Sequence, residues 1–222
     1  LEEASVSFTG QTNSLDTVVH LFVYNPDDPS HTDGGYDTTA DDETVYLLRN
    51  QDYTTTLLLS AEDVAFLGST VRSTPAVSGS VVFVGSDHNK VLALSATSSV
   101  EVWSYTTDGR VRSSPAVAGG RVYVGSEDNN LYALDASTGS LIWSHPTGGE
   151  VQSSPEVSGD AVFVGSDDAG VYAVSTSTGS LLWRFTAEGA VASSPTVSGG
   201  YVYVGSDDTK VYALDESTGA ML

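Results

Sequence analysis

The sequence predicts an all-β fold: a partial β-propeller of about four four-stranded antiparallel blades, preceded by a small β-sandwich-like or irregular β segment. Three observations predict it. Four near-copies of one unit follow each other at a spacing of 40 residues, beginning at Val71, Val111, Val151 and Val191, and a period of roughly 20–50 residues marks a repeat architecture. Inside the unit, apolar residues alternate with a period of two, and no window carries capped helical periodicity. The turn signals leave connections so short that they can join only antiparallel neighbours. Ten positions hold the same residue in every copy; in the second these are Val111, Ser113, Pro115, Val117, Gly119, Val122, Val124, Gly125, Ser126 and Ala133.

Residues 1–65 are not a clean repeat, since Asp63 stands at the phase where Trp recurs later. They still read as β. SVSFTG alternates Val6 and Phe8, TVVHLFVY is a continuous apolar run of the kind covered on both faces, and TVYLLR and YTTTLLLS follow. His20, inside the apolar run, reads as a satisfied sheet histidine, because no second His or carboxylate stands at a paired offset. The acidic loop 25–44 holds Asp27, Asp28, Asp33, Asp37, Asp41, Asp42 and Glu43. Carboxylates at this density are Ca²⁺ ligands by type, but the spacing fits no EF-hand. The loop therefore reads as a solvated acidic segment, with Ca²⁺ on Asp27, Asp28, Asp33, Asp37, Asp41 and Asp42 as the alternative.

The blades occupy 66–222, as 71–110, 111–150, 151–190 and an incomplete 191–222. In the second copy SSPAV is a short first strand. RVYVGS sets Val122 and Val124 against Tyr123. LYALDA sets Tyr132 and Leu134 against Leu131 and Ala133, and SLIWSH sets Leu141 and Trp143 against Ile142. Turns fall at Gly119-Gly120, Ser126 to Asn130, and Ser137-Thr138-Gly139. A blade cannot bury both faces alone, so blades stack. Trp103, Trp143 and Trp183 recur at one phase and read as wedges between blades, each burying about 150–250 Å². Ligand stacking is the alternative for these rings. The last copy stops before its next Trp, so the expected shape is an arc of about half a ring cut from a larger propeller, with a closed four-bladed ring as the alternative.

Ala133, Asp135, Thr138, Gly139 and Trp143 spell A-x-D-x-x-T-G-x-x-x-W, which resembles the repeat of the pyrroloquinoline quinone (PQQ)-like propeller family. The resemblance runs from Val71 to the C-terminus. It implies blades of this kind, a family of quinoprotein dehydrogenases, outer-membrane assembly lipoproteins and other extracytoplasmic propellers, and PQQ with Ca²⁺ as the cofactors of its enzymes. The third copy departs at Ser175, and the first at Ser95 and Ser99. The enzymes are implied to hold PQQ over a Trp beside Ca²⁺, usually with a vicinal disulfide, and this chain has no Cys.

The charge bounds the partners. There are 29 acidic against 8 basic residues, a net charge of −21. Low Lys with abundant Asp, Thr and Gly resembles proteins of halophilic archaea, whose acidic surfaces stay soluble at high salt. Nucleic acids and anionic membranes need Lys/Arg clusters, and the only close pair is Arg110/Arg112. No apolar run is long enough for a transmembrane helix. The blade turns repeat acids at Asp87-His88, Glu127-Asp128, Asp167-Asp168 and Asp207-Asp208, a ring of negative charge on one rim. Their first role is hairpin chemistry, with a metal or cationic ligand as the alternative. Ser113 and its equivalents lack the adjacent base that a nucleophile needs, because His20, His31, His88 and His145 fall at four different phases.

These readings converge on a non-enzymatic, extracytoplasmic propeller, extracellular or at the cell surface, that binds a protein or surface polymer. It needs no cofactor and meets either further blades of a parent chain or a second copy of itself. The alternatives are a fragment of a PQQ-dependent dehydrogenase and the sensor propeller of a signalling protein.

Overall fold

The structure is a computed structural model that describes residues 46–48, 57–59, 70–98 and 100–222. The chain divides into two compact units, Leu1–Phe66 and Leu67–Leu222. In the first unit, β1 (Tyr46–Leu48) and β2 (Leu57–Leu59) pair antiparallel with Leu47 opposite Leu58. They fall within TVYLLR and YTTTLLLS. The acidic loop 25–44 with its Asp candidates, His20, and the remaining strands expected before residue 66 lie outside the described residues.

The second unit is a partial propeller of four blades. Blade 1 is β3 (Ala76–Ser78), β4 (Val81–Ser86), β5 (Lys90–Ser95) and β6 (Glu101–Thr106). Blade 2 is β7 (Ala116–Ala118), β8 (Arg121–Ser126), β9 (Asn130–Asp135) and β10 (Leu141–Pro146). Blade 3 is β11 (Glu156–Ser158), β12 (Ala161–Gly165), β13 (Gly170–Ser175) and β14 (Leu181–Thr186). Blade 4 has β15 (Thr196–Ser198), β16 (Tyr201–Gly205) and β17 (Val211–Asp215), and its fourth strand is a single bridge between Leu214 and Met221. Each sheet runs in chain order, every neighbour antiparallel.

Alternation explains why both faces of β8 are buried. Val122 and Val124 face back to blade 1, in a cluster with Phe83, Val91, Ala93 and Trp103. Tyr123, Leu131 and Ala133 face forward into the cluster with Val151, Val162, Val164 and Tyr172 of blade 3. A third cluster joins blades 3 and 4. The core thus lies in slabs between blades. Simple alternation places Leu141 beside Trp143 on one face, and the structure overturns this. Leu141 does not share the buried side of Trp143. Leu141 pairs with Leu134 and Trp143 with Ala133, so a β-bulge absorbs Ile142 and both residues before the Trp face solvent.

The Ser-Ser-Pro lead of each blade is a pair of fasteners. The first hydroxyl works within its blade: Ser113 Oγ accepts the Gly125 N–H at 3.0 Å, as Ser73, Ser153 and Ser193 do for Gly85, Gly165 and Gly205. The second works between blades. Thr74 N–H donates to Ser114 Oγ, Ser114 N–H to Ser154 Oγ, and Ser154 N–H to Ser194 Oγ, at 2.8, 2.9 and 3.0 Å. Ser154→Ala leaves the Ser114 amide without its acceptor. It should lower stability by about 0.5–1.5 kcal/mol, read as a lower urea midpoint at unchanged slope.

The forward face of blade 4 is open. Tyr203 and Val211 are 38% and 79% exposed, whereas Tyr123 and Leu131 at the same positions of blade 2 are 2% and 0% exposed.

Candidate functional site

The three recurring tryptophans sit at blade junctions. Each indole N–H reaches a carbonyl 33 residues ahead in the next blade: Trp103 to Ala136, Trp143 to Thr176 and Trp183 to Glu216, at 2.9–3.0 Å. Each ring also lies on the glycine of the next blade's outer turn. A Cβ on Gly139, Gly179 or Gly219 would come within 2.7 Å of a Trp ring atom. That glycine also needs a positive φ of 71–72° to close the turn. The turn before it is held by the motif's acid. Asp135 Oδ1 accepts the backbone N–H and hydroxyl of both Ser137 and Thr138. These bonds, the Ser137 hydroxyl foremost, hold its carboxyl down at about 2. In blade 3, Ser175 takes this place, and its hydroxyl meets the Ser177 hydroxyl at 3.1 Å and Thr178 N–H at 3.4 Å.

A second acid, invisible as a partner in the sequence, clasps neighbouring blades. Asp128 Oδ1 accepts Asn130 N–H, while Oδ2 accepts the Tyr132 hydroxyl at 2.8 Å and Asp108 N–H from the preceding blade at 2.9 Å. Asp168 and Asp208 repeat the arrangement with Tyr172 and Tyr212 and with the amides of Gly148 and Glu188. In blade 1 both partners change together, to His88 and Leu92. That joint change is the signal that could have revealed the pair. The positive φ of the hairpin falls one residue later, on Asn89, Asn129, Ala169 and Thr209, so the repeated acids hold the turn through side-chain bonds and not through left-handed backbone.

The remaining acid of each hairpin forms a ladder on this rim, and the ladder is unequal. Asp87 lies between Arg72 and Arg112, with both Nε atoms at 3.1 Å. Arg112 also reaches Glu127 at 2.9 Å, and Arg110 stands 3.9 Å from Glu127. At the Arg112 phase, blades 3 and 4 carry Gln152 and Ala192. Asp167 and Asp207 have no cationic partner among the described residues. Asp87 is pushed up by partial burial, but the Arg112 and Arg72 hydrogen bonds outweigh this and hold it below its ordinary value. Asp167 is raised, by partial burial first and then by the charges of Glu150, Asp207 and Asp168. A carboxyl raised in the folded state weakens the fold above its folded pKa and recovers stability as the pH falls through it. Asp167→Asn should therefore raise Tm at pH 7 in dilute buffer. The gain should shrink in molar KCl and vanish below the ordinary carboxyl value of 3.8; thermal scans at the two salt levels check it.

The fold has counterparts among known proteins. The family model described as outer membrane protein assembly factor BamB matches residues 50–155 and 143–222. The chain belongs to this family. Among curated proteins none matches. BamB from Moraxella catarrhalis is similar in structure at a TM-score of 0.64 and 21% identity, covering 75% of this chain and 52% of that one. The chain thus spans about half the length of that relative. A quinohemoprotein alcohol dehydrogenase from Comamonas testosteroni gives 0.63 and 22%, over 70% of this chain and 35% of that one. The computationally designed Ika4 protein gives 0.61 and 17%, over 66% and 91%. At these identities the structures share the fold alone.

A PQQ site needs an aromatic floor and metal-binding oxygens, and the described residues do not fit it. All three Trp rings are 7–8% exposed and already committed to a glycine and a carbonyl of the next blade. No cluster of three or more metal-ligating side chains occurs among the described residues.

Proposed function

We propose that this BamB-family chain is a non-enzymatic, extracytoplasmic propeller that serves as a scaffold for another protein. The observation that carries the reading is the family match over the repeats, because its description names assembly of outer membrane proteins, a task performed on other polypeptides. That description also supports a place outside the cytoplasm. The recurring hydroxyls and carboxylates support it from within. Ser113 and Asp135 are spent inside a blade and Ser154 and Asp128 between blades, so the repeat offers surface and not chemistry. We assign the partner to the rim of blades 3 and 4, where Glu150, Asp167 and Asp207 lack the arginines that blades 1 and 2 supply. Uncompensated charge of one sign steers a partner of the opposite sign.

Photo-crosslinking tests the reading. A photoreactive residue at Asp207 should capture a discrete protein in cells, and the same residue at Val102 on the outer strand of blade 1 should not. Equal capture from both places would remove the rim assignment. Titration with PQQ plus Ca²⁺ tests the enzymatic alternative: we expect no binding at high micromolar PQQ, and stoichiometric binding with dye-linked alcohol oxidation would overturn the scaffold reading.

A further inference from the structure

Between blades 3 and 4, on the rim opposite the charge ladder, lies a cleft of about 520 Å³. Its walls include Asp160 from the β11–β12 turn, Ala161 at the start of β12, Trp183 from β14, and Asp215 and Glu216 from blade 4. The molecule itself shows what such a cleft holds. Between blades 2 and 3 the same position is filled by Arg121, whose guanidinium donates to the Thr176 carbonyl at 2.7 Å, beside the Trp143 indole at 3.0 Å. Tyr123 directs its hydroxyl at the same carbonyl from 3.5 Å.

Forty residues on, Ala161 replaces Arg121 and Phe163 replaces Tyr123. The Glu216 carbonyl, equivalent to that of Thr176, keeps the Trp183 indole at 2.9 Å and has no second hydrogen-bond donor among the described residues. The backbone frame that seats Arg121 is thus repeated without the cation. Carboxylates take the place of neutral groups at the same time: Asp215 stands where blade 3 has Ser175, and Glu216 where it has Thr176. Asp215 is ionised at neutral pH, since the hydroxyls of Ser217 and Thr218 lower its pKa.

We propose that this cleft binds the guanidinium of an arginine presented by a partner protein, in the way the neighbouring cleft binds Arg121. Arginine fits better than lysine. Its planar fork can donate to the carbonyl and a carboxylate together, while an ammonium is a single strongly hydrated point charge. The site is separate from the charge ladder, and it can be present or absent whatever that rim binds.

The test follows the Trp183 indole N–H signal by NMR during titration with the peptide acetyl-Gly-Arg-Gly-amide. One arginine should bind with a Kd on the order of millimolar, weaken as salt rises, and lose at least about tenfold when citrulline removes the charge (1.4 kcal/mol per tenfold). Ala161→Arg supplies the missing guanidinium from the chain itself and should abolish peptide binding. Asp160→Asn with Glu216→Gln should weaken it severalfold without depending on how the new arginine packs. Val102→Thr, exposed on the outer strand of blade 1, should leave it unchanged. The proposal is overturned if the citrulline peptide binds as well, if folded Ala161→Arg still binds, or if the shifts centre on residues away from Trp183 and Glu216.

Discussion

Trp143→Ala should be among the most damaging single changes in the chain, costing roughly 3–5 kcal/mol. The ring is buried in the slab between blades 2 and 3, tilted against Tyr123 at a centroid distance of 5.9 Å and seated on Gly179. Its removal opens a cavity between the Tyr123 ring and backbone that cannot follow inward, because Gly179 is pinned by its turn and the Ala133 strand by its ladder. The lost indole hydrogen bond adds less, since the Thr176 carbonyl keeps Arg121. Trp143→Phe should therefore recover most of the loss, leaving a deficit near 1 kcal/mol. Chemical denaturation checks both. A loss well under 1 kcal/mol for the alanine variant would mean that the ring is not a wedge. Because Trp103 and Trp183 occupy other slabs, the alanine losses at 103 and 183 should add within a few tenths of a kcal/mol.

Much of the blade was legible in the sequence because it is periodic. RVYVGS begins and ends as β8 does, the turns fall at the Gly and Asn positions, and the recurring Trp marks the outer strand. What could not be read depends on contacts between copies. The bulge at Ile142 is set by the pairing of β9 with β10, and simple alternation put Leu141 on the wrong side. The acids of the hairpins looked like one ring of charge. In the fold they divide into two kinds, the Asp128 type consumed by a tyrosine and a neighbouring amide, and the Asp87 type left to find an arginine. The inequality of the ladder follows from Arg112 becoming Gln152 and Ala192, single changes that periodicity averages away. The cleft beside Trp183 was hidden for the same reason. Ala161 is unremarkable in its own blade and becomes informative only beside Arg121. Residues before the repeats offered no period at all, and the Ca²⁺ alternative for Asp27 to Asp42 rests there on composition alone.

Gly125→Ala and Gly205→Ala should give opposite results although the two glycines share one phase of the repeat. A Cβ on Gly125 would lie 2.4 Å from both Cγ1 and the carbonyl oxygen of Val151, where blade 3 begins. Backbone cannot yield as a flexible side chain would, since Val151 N–H is itself tied to the Ser126 carbonyl at 3.1 Å. Relief requires prising blade 3 away from blade 2, and the expected loss is at the upper end of the roughly 1–3 kcal/mol typical of overpacking. Gly85 and Gly165 meet Val111 and Val191 at 2.2–2.5 Å and should behave alike. Among the described residues Gly205 faces no following blade. Its nearest neighbour would be Ser193 Oγ at 3.5 Å, an ordinary contact, so alanine should be neutral or stabilise by about 0.4–1 kcal/mol through the unfolded chain. Denaturation of the two variants side by side decides between causes. If both lose stability equally, the glycine serves strand geometry and not the junction. If only Gly125→Ala does, the glycine exists for the blade behind it. A further blade laid on the open face of blade 4, covering Tyr203 and Val211, should then make Gly205→Ala as costly as Gly125→Ala.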